Sequence, residues 1–314
     1  MRKSSQNLLD NYQLRKSKTE KIAFIDWLEQ QLGNQNYLLK KEHYEKDGVN
    51  LIVGDLETAK IILTAHYDTQ AISIFPIFMG FSNWISFFIS QLWAMLPIVP
   101  LSFFGGTILA SGILTLSFKE IIIGILLISL MLLYCFQITK GVANKHTAND
   151  NTSGVATLLA ILEDLPENKR EEVCFVFFDQ EEIGLVGSQN FKKQHEPLIK
   201  DKPLINFDCV SDGNTLFFVT KKAFRESNYN NQLAESTKKI VDKTEKDYKF
   251  GTAFKNIYTS DQIIFKNSVG VAAAKKLPVF GYYLNRIHTR KDTRFDYQNI
   301  ELLNQVIQDF ILHI

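Results

Sequence analysis

Side chains able to bind metal gather at the ends of apolar runs in this chain. The run IILTA closes on His66, Tyr67 and Asp68, and VCFVFF closes on Asp179, Gln180, Glu181 and Glu182. LINF ends at Asp208, VFGYYL leads through Asn285 and Arg286 to His288, and Asp150 heads a helical segment in NDNTSG. Continuous apolar runs suit strands buried on both faces of a sheet, and α/β sites form beyond the carboxyl ends of such strands. If these strands are neighbours, two imidazoles and several carboxylates converge on one crevice. That donor set suits a pair of borderline cations such as Zn²⁺. Cys135, Cys174 and Cys209 show no CxxC spacing and offer no thiolate alternative. Two ions can share a bridging carboxylate, and a carboxylate left free of metal can act as general base. Each residue alone has a plainer reading, as a strand-end histidine, a helix cap or a first helical turn. Their conjunction in this order points to a binuclear centre.

The surrounding motifs resemble those of the co-catalytic di-zinc aminopeptidases of clan MH. That family includes bacterial secreted aminopeptidases and glutamate carboxypeptidases, and glutaminyl cyclases share its fold. The resemblance is carried by TAHYDT at 64–69, NDNTSGVATLL at 149–159, FFDQEEIGLVGS at 177–188, NFDCVSDG at 206–213 and HTRKDT at 288–293. A weaker match is SDQIIF at 260–265, where the family usually has Ser-Asp-His. The resemblance implies two zinc ions, one held by His66 and Asp208, the other by Glu182 and His288, with Asp150 bridging them. It further implies that Glu181 is the general base, that Asp68 orients His66, and that Asp261 lines the substrate pocket. The implied reaction is hydrolysis of N-terminal peptide bonds by a hydroxide shared between the ions. The alternatives are a glutaminyl-cyclase-like enzyme on the same fold and a non-catalytic membrane receptor or scaffold. Retention of the whole ligand set argues against the scaffold.

The elements that must position these residues alternate between strand and helix. Helices are expected at 18–32, 152–165, 183–195, 225–246 and 299–312. Strands are expected at 51–53, 59–65, 172–178, 203–207, 216–220, 269–274 and 279–284. This alternation predicts a three-layer α/β/α sandwich around a largely parallel mixed sheet. The polar start, MRKSSQNLLDNYQLRKSKTEK, lacks the apolar stretch of a cleavable signal peptide.

One segment breaks the pattern. From 71 to 139 the only charged residues are Lys119 and Glu120. Uncharged apolar runs of this length read as membrane spans. The catalytic domain is therefore expected to be discontinuous, 1–70 and 140–314, around an inserted membrane segment, 71–139. Asp68 and Asp150 must meet on one side of the bilayer, so the insert must cross an even number of times. It nevertheless divides into three apolar pieces, 71–96, 101–118 and 121–138. The second and third are expected to span as a hairpin, with the first interfacial or re-entrant. That first piece carries Asn83, Ser86 and Ser90 at helical spacing, along with Trp84 and Trp93, a residue type enriched at interfaces. In the rival arrangement the first and third pieces span. The expected partners are a peptide substrate, hydrophobic or membrane-proximal, and the lipid bilayer. A net charge of +1 gives no broad basic surface for nucleic acid. Lys60, Lys140 and Lys145 against the single Lys119 favour a cytoplasmic catalytic domain.

Overall fold

The computed structural model describes residues 1–45 and 47–314. Helix α1 (Lys3–Asn11) is preceded by Arg2, which clamps Asp164 and Glu301 at 2.8 and 3.1 Å. Helix α2 (Lys18–Gly33) opens with a capping box, Ser17 and Glu20 each accepting the other's backbone N–H, and ends at Gly33. It buries Phe24, Ile25, Trp27, Leu28 and Leu32, whereas Ile22 is exposed. Then come strands β1 (Leu39–Tyr44), β2 (Gly48–Val53), β3 (Ile61–His66) and β4 (Phe78–Gly80), and helices α3 (Trp84–Met95), α4 (Val99–Thr115), α5 (Phe118–Lys140) and α6 (Thr152–Asp164). The rest alternates through β5 (Val173–Phe178), α7 (Val186–Ile199), β6 (Leu204–Phe207), β7 (Thr215–Thr220), α8 (Lys222–Arg225) and α9 (Asn228–Val241). It closes with β8 (Asp247–Thr252), β9 (Ser268–Leu277), β10 (Gly281–Asn285) and α10 (Tyr297–Leu312).

The strands form one mixed sheet in the order β1-β2-β5-β3-β6-β9-β10-β4, with β7 on the other edge of β9 and β8 beside β7. Pairing is parallel through β5, β3, β6 and β9, and antiparallel where β1, β2, β10 and β4 extend the sheet. The central strands are buried on both faces, and their side chains alternate between two cores. Ile61, Leu63, Val173, Phe175, Phe177, Ile205 and Phe207 point to the layer of α1, α2, α6, α9 and α10. Ile62, Cys174, Val176, Phe178 and Leu204 point to the layer of α7. The expected sandwich is present, with a mixed sheet that is parallel through its centre and again where β8 pairs with β7. The helix expected over 225–246 is shorter. It runs as α9 only from Asn228 to Val241, and just past the expected end Tyr248 and Phe250 alternate onto the sheet core, Phe250 stacking on Phe218 at 4.7 Å, so that Asp247–Thr252 forms β8, a strand not among those expected.

The insert also differs from expectation at its start. Its first helix begins at Trp84, and residues 71–81 belong to the catalytic unit. Ala71 bridges Ala143, the Ile72 N–H reaches the Val142 carbonyl at 2.8 Å, and β4 pairs with β10. Phe81 is fully buried against Phe217 and Tyr258. Helices α4 and α5 then form a tight hairpin. Within it only Gly105, Gly112 and Gly124 are buried, none of the large apolar side chains is, and most of them are exposed. The pair is therefore no core hairpin. Small residues let the backbones close up, as in helix pairs that associate in lipid. A Cβ on Gly124 would lie 2.7 Å from the Leu109 backbone, whereas one on Gly106 would meet nothing. Gly124→Ile is expected to overpack the hairpin by about 1–3 kcal/mol and lower the detergent melting temperature. Gly106→Ile should leave it unchanged, and equal melting of the two variants would contradict this packing.

Candidate metal centre

His66 is the last residue of β3, beside Phe178, the last of β5, and β6 ends one residue before Asp208. Three parallel strands thus deliver His66, Asp208 and the 179–182 turn to one edge of the sheet. Asp150 arrives just before α6, and His288 from the loop after β10.

These residues meet around Asp150. Its Oδ1 lies 3.4 Å from His66 Nε2, which is 3.6 Å from Asp208 Oδ1. Its Oδ2 lies 2.9 Å from His288 Nε2, which is 3.2 Å from Glu182 Oε2. Two three-residue groups therefore share one carboxylate: His66, Asp150 and Asp208, and Asp150, Glu182 and His288. Glu181 belongs to neither, but forms a third close group with His66 and Glu182. The donors fit a pair of divalent cations, and two buried oxygens, Glu182 Oε1 and Asp208 Oδ1, have no hydrogen-bond partner among the described residues.

Charge crowding shows in the protonation equilibria. Burial lowers the affinity of both imidazoles for a proton, but the carboxylates outweigh it. His66, beside Glu181, Asp150 and Asp208, and His288, beside Glu182 and Asp150, are both raised well above the ordinary histidine value. Asp150 is held low by the two histidines despite its burial. Burial pushes Glu181 well above the carboxylate range against the pull of His66, and Glu182 and Asp261 add to the rise.

The supporting contacts explain how the chain holds this cluster. The Asp68 backbone carbonyl lies 3.2 Å from His66 Nδ1, and its carboxylate oxygen Oδ1 lies at 3.6 Å. That carboxylate also accepts the Glu181 and Glu182 backbone N–H groups at 3.0 and 3.3 Å, so Asp68 braces the acidic turn as well as the imidazole. Asp261, expected to line the substrate pocket, is fully buried, and Ser188 is the side chain placed to hydrogen-bond its carboxylate. Burial pushes it up to about 7, with His66 opposing the rise and Asp68 and Asp208 adding to it. His195 is half-buried, 2.6 Å from Glu42. Non-glycine residues in the left-handed region cluster here: Gln180, Leu185, Cys209, Arg286 and His288. Such backbone costs of order 1–3 kcal/mol and concentrates at functional sites.

Three residues of the site escaped the sequence reading. Asp292 accepts the Asn149 and Asp150 backbone N–H groups at 2.8 and 3.0 Å. It lies in the HTRKDT motif, four residues after His288, which was the available signal. Asn151 donates to the carbonyls of His66 and Phe207 at 3.3 and 3.0 Å and accepts from Gly154 and Cys209, joining two strand ends to the start of α6. The Asp150–Asn151 peptide bond is cis. Arg15 is completely buried, donating to the Tyr67 carbonyl at 2.5 Å and to Thr152 Oγ1 at 3.2 Å. Burial lowers it to about 10, and the charges of Asp68 and Asp150 limit the fall. Nothing in the sequence around Arg15 marks it.

Removing a group that orients a metal ligand typically costs 10–100-fold in metal affinity. Asp292→Ala is therefore expected to weaken zinc binding by about 10-fold or more in a chelator competition, with Asp292→Asn intermediate because it keeps one acceptor. Wild-type affinity in Asp292→Ala would show that Asp150 is held without it.

Comparison with known proteins bears on the same residues. The profile of Peptidase family M28 matches residues 138–311, a stretch that contains Asp150, Glu181, Glu182, Asp208 and His288. Porphyromonas gingivalis glutaminyl cyclase superposes with a TM-score of 0.62 at 14% identity, covering 98% of this chain and 95% of that one. A Zn-dependent exopeptidase from Parabacteroides distasonis gives 0.59 at 13% identity, covering 98% and 94%. The LapA aminopeptidase of Legionella pneumophila gives 0.55 at 12% identity, covering 98% and 69%. At these identities the likeness is one of fold. The profile match spans more than half of the chain, and the protein belongs to Peptidase family M28.

Proposed function

We propose that this protein is a membrane-integrated, zinc-dependent aminopeptidase. The observation that carries the reading is the pair of ligand groups sharing Asp150, with Glu181 beside them and outside both. Two zinc ions held by these groups would supply Lewis acidity toward a carbonyl oxygen and lower the pKa of water. Glu181 takes the proton of the attacking water and returns it to the leaving amine. Burial raises its proton affinity above that of an ordinary carboxylate, the direction that favours taking up a proton. Asp68, holding the Glu181 and Glu182 N–H groups, keeps that carboxylate aimed.

The insert supports the membrane part of the reading. Helix α5 is long and apolar enough to cross a bilayer, and its 23 residues span about 34 Å against a hydrocarbon core of about 30 Å. We assign the return crossing to α4, whose 17 residues span about 25 Å, and α3 is bent 46° away from it. We place α3 at the interface. Its Ser86 and Ser90 are buried, while Trp84, Ile85, Phe88 and Leu92 are exposed. Two crossings keep Asp68 and Asp150 on one side. Lys16, Lys140, Lys145, Arg290 and Lys291 near the hairpin root favour the cytoplasmic side. A site this close to the root suits a hydrophobic or membrane-proximal peptide.

The similarity in fold to glutaminyl cyclases favours a second reading, cyclisation of an N-terminal glutamine. There the nucleophile is the substrate's own amine, which attacks the glutamine side-chain carboxamide and expels its nitrogen as ammonia, so a second ion to activate water is unnecessary. The paired ligand groups support hydrolysis. The test is zinc content and product mass on detergent-purified wild type and Glu181→Gln, with peptides bearing leucine or glutamine at the amino terminus. Two zinc ions per chain and release of a free amino acid are expected. Glu181→Gln should keep the metal and lose about 10²–10⁴-fold in rate. Loss of ammonia without hydrolysis would transfer the assignment to a cyclase. A wild type that stays metal-free and inactive in added zinc would leave a binding scaffold.

A further inference from the structure

A cavity of about 650 Å³ lies at the root of the insert, between residues 72–77 and 285–291. Ile72, Ile74 and Ile77 form its apolar side, and Arg286, Arg290 and Lys291 its cationic side. The apolar wall is tied to the helices of the insert. Trp93 in α3 donates its indole N–H to the Pro76 carbonyl at 2.7 Å, and Gln137 in the last turns of α5 donates to the Ile72 carbonyl at 3.0 Å. The cationic wall is the His288 loop, to which Ser73 is joined by an N–H···O bond of 2.7 Å to the His288 carbonyl.

Two further loops converge on α3. Asn256 holds the Ser82 carbonyl at 2.8 Å, which brings the exposed Phe254 and Lys255 beside the start of α3. Phe280 packs on Phe78 of β4 at 4.8 Å, leaving Val279 fully exposed at the turn between β9 and β10. The five segments 70–83, 136–148, 252–257, 275–282 and 285–291 carry Lys140, Lys145, Lys255, Lys275, Lys276, Arg286, Arg290 and Lys291, and no Asp or Glu. Exposed apolar tips inside a ring of cations mark the level of an anionic lipid surface. Lys275 and Arg286 are partly answered by Asp212 at 2.6 and 3.6 Å, while Arg290 and Lys291 have no acidic partner among the described residues.

We propose that this cavity binds the headgroup of an anionic phospholipid. Arg290 and Lys291, with Arg286, hold the phosphate, and the isoleucines take the glycerol and first methylenes of the acyl chains. The inference rests on the membrane reading of the insert. A peptide is the weaker occupant, because none of the candidate metal-binding residues lines the cavity and its apolar wall is fastened to α3 and α5.

The three tryptophans allow a direct test. Trp27 is buried, whereas Trp84 and Trp93 are exposed on α3. The full chain is reconstituted in phosphatidylcholine vesicles containing a minor fraction of brominated phosphatidylglycerol or brominated phosphatidylcholine, and tryptophan quenching is compared. Quenching by both lipids, with phosphatidylglycerol several-fold more effective per mole, is expected. The preference should fall to unity in Arg290→Gln/Lys291→Gln and persist in Lys16→Gln/Lys140→Gln, which removes the same charge outside the cavity. No quenching by either lipid overturns the membrane reading itself. Equal quenching by both lipids, or an equal loss in the two double variants, overturns the site alone. Displacement of the preference by a soluble acidic peptide would reassign the cavity to substrate recognition.

Discussion

Collecting carboxylates away from water is unfavourable unless positive charge is held among them. That constraint organises this chain. Asp68, Asp150, Glu181, Glu182, Asp208 and Asp261 come within each other's fields at one edge of the sheet, with His66 and His288 set among them and the buried Arg15 close by. Asp150 faces a histidine with each oxygen, and so belongs to both groups that could hold an ion. The parallel strands β5, β3 and β6 are what make the convergence possible, because their carboxyl ends lie side by side. Asn151 then fastens two of those strand ends to α6 by backbone contacts, so the position of Asp150 is set by main chain as well as side chain.

Much of this is legible in the sequence because strand burial and site chemistry leave separate marks. IILTA, VCFVFF and LINF are apolar on both faces, and the polar residues that end them have no reason to be there except to act or to cap. The conjunction of motifs supplied the fold and the grouping. What stayed hidden depends on contacts between segments far apart in the chain. Arg15 looks like one cation of a solvated amino-terminal run, and only its place beneath Tyr67 and Thr152 makes it part of the site. Asp292 sat inside a motif already noted, but its two bonds to the Asp150 turn require the chain to fold back. Asp261 carries the right residue type, yet its complete burial could not be read from SDQIIF.

The start of the insert was hidden for a different reason. Residues 71–81 are as uncharged and apolar as the helices that follow, since a stretch buried in protein and one buried in lipid avoid charge alike. Composition cannot separate them. Pairing does, as β4 adds to β10 and Phe81 enters the core beside Phe217. The consequence is mechanical. The strap joining His66 to the first apolar helix is a sheet edge rather than a free linker, and it is bonded to α5 through Gln137 and to the His288 loop through Ser73.

This strap changes how the insert and the catalytic unit can influence each other. A hairpin hung on flexible linkers would anchor the domain and do little else. Here the same few residues, Ile72 to Pro76, touch α3, α5 and the loop that carries His288. A displacement of the hairpin root therefore has a short, hydrogen-bonded route to one of the two candidate ligand groups, while the other, built on His66 and Asp208, stays on the rigid centre of the sheet. The two groups share Asp150 but differ in what supports them. The asymmetry places any effect of the hairpin root on the group formed by Glu182 and His288.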